Sequence, residues 1–155
     1  MAKSGRAFSD RKKIETLTSA KNITVADCGT CFMADGSGYS ADVTHTIPHP
    51  SQAGNGWWIK IIVATDVLDS GGDDMIVAVR ADGNTDGSST VDDLLACLEV
   101  CATDDDQGAQ EADGHTFKLR GESKASTCVE IICDGSKHYV LAHTFVAEDF
   151  TVTNS

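Results

Sequence analysis

From Ile14 onward the chain runs in short apolar stretches rich in Val, Ile and Thr, each ended by Gly, Asp and Ser. That is the pattern of an all-β domain. It predicts strands over Ile14–Thr18, Ile23–Val25, Cys31–Ala34, Asp42–Ile47, Trp57–Thr65, Asp74–Arg80, Thr116–Arg120, Thr127–Cys133, Lys137–His143 and Phe150–Thr153. Side chains on a strand alternate between its faces. In Trp57–Thr65 this sets Trp57, Ile59, Ile61 and Val63 against Trp58, Lys60 and Ile62. In Thr127–Cys133 it sets Val129, Ile131 and Cys133 against Cys128, Glu130 and Ile132. One face of each strand can pack inward, as a sandwich requires. Asp134-Gly135-Ser136, between two good strands, predicts a hairpin over Thr127–His143. The expected fold class is all-β, a β-sandwich or jelly-roll-like module.

One stretch departs from the period of two. In Thr90–Cys101, Val91, Leu94, Leu95 and Leu98 recur at helical spacing. Thr90 is placed as an N-cap, and Asp92 and Asp93 fall in the first turn, where negative charge favours a helix. The expectation is one short helix inside an acidic insertion, residues 82–113, which holds ten Asp or Glu and no Lys or Arg. Residues 1–13 read as a basic flexible arm, and 14–155 as a single β domain.

Composition narrows the function. A chain of 155 residues, 41% of them hydrophobic, can bury a core without metal or disulfide staples. Its longest apolar runs fall well short of the roughly 20 residues of a membrane span, so no membrane partner is expected. No apolar segment follows the N-terminal basic residues, so no signal peptide is expected and synthesis in a cytoplasm is inferred. The net charge of −12 is uneven: residues 1–13 carry +4 and the rest −16. Such a body repels phosphate backbones, which argues against a nucleic-acid partner. A basic arm on an acidic body suits docking to another surface, with Arg6, Phe8, Arg11, Lys12 and Lys13 as the candidates.

Six cysteines, Cys28, Cys31, Cys97, Cys101, Cys128 and Cys133, are expected to be mainly buried thiols. Cys28 and Cys31 have zinc-knuckle spacing, but the other pairs do not clearly complete such a site. Asp82, Asn84, Asp86 and Gly87, with Asp93 at the twelfth position, follow a calcium-loop pattern. Ser89 stands where that loop has an apolar residue, and Asp93 is shorter than the usual Glu. The alternative is a surface turn. His45 and His49 bracket Pro48 at a spacing that could suit a metal. No nucleophile elbow, phosphate-cradling loop or His-Glu-x-x-His helix occurs, so neither an enzyme nor a cofactor is expected. Trp57 and Trp58 read as core plus oligomer interface, with sugar stacking as the other option.

Two stretches together resemble a known layout. The first runs from Leu17-Thr18-Ser19-Ala20 through Ile23-Thr24-Val25-Ala26-Asp27, Cys31–Ala34 and Ser40–Pro48 to Gly56–Val63. The second is Phe117–Gly121 followed by Cys128–Val140. Over residues 15–66 and 114–146 the chain resembles small virion proteins of tailed phages, the capsid decoration or cement proteins, and also domains of head and tail fibres. It departs from them at Cys28 for a usual Ser, at His138 for a usual Trp, and in the 82–113 insertion. The resemblance implies a β-sandwich, commonly a homotrimer, bound to the major capsid protein on the outer capsid surface, and no catalytic residues. A fibre or receptor-binding module, carbohydrate-binding through Trp57 and Trp58, is the alternative.

Overall fold

In the computed structural model, which describes residues 12–80, 94–100 and 110–153, the period-two stretches are strands. They are β1 (Lys13–Leu17), β2 (Thr30–Ala34), β3 (Val43–Ile47), β4 (Asn55–Val63), β5 (Met75–Val79), β6 (Leu94–Val100), β7 (Gln110–Gly114), β8 (Thr116–Leu119), β9 (Cys128–Asp134), β10 (His138–Thr144) and β11 (Phe150–Thr153). A single-turn helix α1 (Pro50–Ala53) precedes β4. Seven strands form one sheet in the order β1-β2-β4-β9-β10-β6-β7, and four form a second in the order β11-β8-β5-β3. Both are mixed: β1–β2, β2–β4, β6–β10 and β3–β5 run parallel, the other neighbours antiparallel.

The two sheets bury one core between them. Trp57, Ile59, Ile61 and Val63 of β4 and Val129, Ile131 and Cys133 of β9 meet Met75, Val77, Val79, Phe117, Leu119 and Phe150 of the smaller sheet. Each of these is an alternate position of its strand, so the expected alternation decides which face is inside. The Phe117 and Phe150 rings lie 5.4 Å apart. Asn22 bridges Thr46, and Ile23 N–H donates to Thr46 O at 2.8 Å, which carries the chain from the large sheet to the edge of the small one. The buried Arg80 guanidinium fastens this join by donating to Ile23 O at 2.9 Å and Ile47 O at 3.4 Å.

The hairpin forms as expected, with β9 and β10 paired from Cys128–His143 to Cys133–His138. Gly135 at the first turn position has φ 90°, a conformation open to glycine. Asp134 Oδ1 accepts from Ser136 N, Ser136 Oγ and Lys137 N, each at 2.8 Å, and Oδ2 accepts from Tyr139 Oη at 2.9 Å. These donors hold the Asp134 carboxyl well below its usual range, the Lys137 N–H foremost.

Three expectations need correction. Leu94–Val100 is a strand where the helix was expected, pairing in parallel with β10 over seven positions and antiparallel with β7. Leu and Ala are good helix formers, but propensity amounts to a fraction of a kcal/mol per residue and yields to sheet pairing and burial of Leu94 and Ala96. Second, the strand expected over Ile23–Val25 is only the Asn22 bridge followed by a 3₁₀ turn, Val25–Asp27. Third, Lys13 opens β1 and is not part of the arm.

His45 is fully buried, and neither ring nitrogen has a hydrogen-bond partner among the described residues. Burial, aided by the Lys21 charge, lowers its pKa from 6.5 to about 4. The unfolded chain therefore takes up a proton at this residue at a higher pH than the folded one. Stability should fall as pH drops from 6.5 toward 4, by up to ~3 kcal/mol. Urea unfolding of His45→Leu against the native chain checks this: the difference between them should shrink or reverse across that window.

Of the described cysteines, Cys31 and Cys133 are buried, Cys28 is exposed and Cys128 lies between, and none is in a disulfide. Cys133 Sγ accepts from Gly135 N–H at 3.2 Å and contacts Pro50 O at 3.7 Å, and burial pushes its thiol pKa up. Under native conditions an alkylating reagent should modify Cys28 first and spare Cys31 and Cys133 until the protein is denatured. Peptide mass spectrometry over a time course reads the order.

Candidate functional site

The alternation that sends Trp57, Ile59, Ile61 and Val63 inward sends Trp58, Lys60 and Ile62 of β4 to the opposite face of the large sheet. The register continues these as rows across β9 and β10. Trp58 lies beside Ile132 and Ile132 beside Tyr139; Lys60 beside Glu130 and Glu130 beside Leu141; Ile62 beside Cys128 and Cys128 beside His143. On the other flank Cys31 pairs with Lys60, Met33 with Ile62, and Ile14 of β1 with Cys31. Ile14 is 68% exposed, Ile132 40%, Tyr139 42% and Leu141 43%. A sheet face turned away from the core carries polar residues in the ordinary case. This one carries aromatic and aliphatic side chains in neighbouring rows, the composition of an interaction surface.

Local interactions shape it. The Asp134 hydrogen bond ties the Tyr139 hydroxyl to the hairpin turn, which fixes the ring's position on the face and raises its pKa. Gly29, with φ 81°, donates to Trp58 O at 2.8 Å and places no side chain beside the indole. Lys12 covers that ring, its Nζ 5.1 Å from the ring centroid. Lys12, Trp58, Glu130 and Ile132 line a shallow pocket. Lys60 and Glu130 stand opposite each other in the register, yet among the described residues no ion pair within 4.0 Å joins them.

The candidates read from the sequence fare differently. Trp58 is on the face. Trp57, expected to share in an interface or a sugar platform, is 2% exposed with its ring 5.5 Å from that of His138. Alternation buries it, so no partner reaches it. Lys12 reaches the face, whereas Lys13 bonds Asp27 at 3.3 Å and Glu15 at 3.4 Å within its own protomer. Asp27 is itself held by Thr24 N–H and Oγ1, at 2.9 and 3.0 Å, so this contact anchors the start of β1. Arg6, Phe8 and Arg11, and the calcium candidates Asp82, Asn84, Asp86 and Asp93, lie outside the described residues.

His45 and His49 do not come together: the first is in the core, and the second caps α1 through Nδ1, which accepts from Ser51 N–H at 3.2 Å. Among the described residues no group of three or more His, Cys, Asp or Glu could hold a metal ion. No described helix is long and apolar enough to cross a membrane. Sequence reasoning missed Ile132, Tyr139 and Leu141 as site residues. Their signal was apolar character on both alternating sets of β9 and β10, where a half-buried strand has it on one.

What the face offers chemically is burial of aromatic and aliphatic surface around the opposite charges of Lys60 and Glu130, with Asp134 at the hairpin end and Lys12 over Trp58. No family model, curated protein or solved structure matches the chain.

Proposed function

We propose that this chain is a structural virion protein that docks on the outer surface of a tailed-phage capsid and stabilises the shell. The resemblance over residues 15–66 and 114–146 suggests the role, with the major capsid protein as partner and the homotrimer as the working oligomer. The observation that carries it is the meeting of Lys12 with Trp58: the basic N-terminal segment enters the β body at the rim of an exposed apolar sheet face. A segment carrying positive charge and a face offering apolar area are thus placed together. A decorating protein needs both, since weak contacts repeated on a lattice sum to firm attachment. The acidic body favours the same division of labour, because it leaves the arm as the part attracted to acidic neighbours.

The receptor-binding alternative is weakened by Trp57. A sugar platform built from adjacent tryptophans needs both rings outside, and one of them is in the core.

In this reading Arg6, Phe8 and Arg11 supply shell contacts, and Phe8 matters more than either charge because exposed ion pairs contribute about 0–1 kcal/mol each. Deleting residues 1–11 should leave the thermal midpoint of the β body within about 2 °C of the full chain, since no described strand is touched. The same deletion should weaken binding to shells purified without this protein at least tenfold, by co-sedimentation. Equal binding by the truncated and full chains, at low and at moderate salt, would rule out docking through the arm.

A further inference from the structure

We infer that a second copy of this chain packs on the outer face of the seven-stranded sheet, about a twofold axis running along the strands between β4 and β9. Such an axis turns one sheet over onto the other and exchanges the places of β4 and β9, as an isologous contact requires. Lys60 of each copy then lies over Glu130 of the other, and Trp58 of each over Ile132 of the other. Two features favour a copy of this chain as the occupant.

The first is charge. Beyond residue 13 the chain carries −16, so two copies brought together elsewhere on the acidic body repel each other. Across β4, β9 and β10 the outer face carries Lys60 and Glu130, with Asp134 at the hairpin end and Lys12 over Trp58, so its charges balance. It is a surface where two acidic bodies meet with little opposition. The second is the Lys60–Glu130 pair itself. These two groups stand side by side without an ion pair joining them, each at a half-exposed position among apolar neighbours. Under the twofold each finds its opposite on the facing copy, twice over.

Size sets the strength. At about 4.8 Å between strands and about 6.8 Å between successive outward residues, the four strands the axis exchanges, β4 with β9 and β2 with β10, cover roughly 19 by 20 Å over three rows. That is below the ~800 Å² per partner of a standard interface, so the pair should dissociate on dilution. The inference does not rest on the capsid reading. It adds a twofold contact to whatever threefold contact a trimer makes, giving a dimer or a hexamer.

Sedimentation of the full chain over a dilution series tests it. The concentrated protein should have an even multiple of its 16.3 kDa mass. Lys60→Glu, Glu130→Lys and Leu141→Arg should each halve that mass while keeping the native circular dichroism, because all three side chains reach solvent. The double variant Lys60→Glu/Glu130→Lys should restore it. Rescue by the double swap is specific to self-contact, since a different partner would still meet its charges reversed. A native mass that stays monomeric or trimeric, single variants that pair as before, or a double variant that does not recover would each overturn the inference. Shell binding is scored separately by the arm deletion, so either reading can fail alone.

Discussion

Strand β9 is held from both sides, by β4 through Trp58–Ile132 to Ile62–Cys128 and by β10 through His138–Cys133 to His143–Cys128. Because side chains alternate, a slip of one residue in either pairing would turn Val129, Ile131 and Cys133 to solvent and drive Glu130 into the core. A carboxylate there would have no water and no cation beside it, which costs several kcal/mol. The register is therefore the constraint on which the rest depends. The turn that enforces it is short: Gly135 supplies the positive φ, and the Asp134 carboxylate collects the Ser136 and Lys137 amides. The same carboxylate holds Tyr139. One side chain thus ties the register of the core to the arrangement of the outer face.

The outer face follows from the inner one. Once Trp57, Ile59, Ile61 and Val63 are committed to the interior, Trp58 and Ile62 have nowhere to go but out. Exposed large apolar side chains in adjacent rows lower solubility and are the mark of an interaction surface. The strongly negative charge of the remainder offsets this liability by keeping free copies apart in other orientations. For a neighbouring copy to cover Trp58, the Lys12 side chain that lies over its ring must swing aside, which its long flexible stem allows.

Much of the fold was legible because burial and periodicity coincide. Nine of the expected strands have counterparts at or within two residues of the expected bounds, and the Asp-Gly hairpin needed only local turn chemistry. Leu94–Val100 was misread because Leu and Ala spaced for a helix do not reveal that β10 lies alongside, a contact some forty residues away in sequence. The site was less legible than the fold. Trp57 and Trp58 look equivalent as neighbours, and only the direction of the strand separates a core residue from a surface one. Tyr139 and Leu141 belong to the face through pairing with β9 and not through any motif of their own.

The central claim is that the outer face of β4, β9 and β10 is covered when this protein is at work. Hydroxyl-radical footprinting of the protein when dilute and when concentrated enough to associate, read residue by residue, addresses it directly. On assembly Trp58, Ile132, Tyr139 and Leu141 should lose most of their reactivity, while Trp57, already in the core, stays unreactive in both states. If Trp58 and Tyr139 are modified as fast in the concentrated protein as in the dilute one, the face is open in both and the account is wrong.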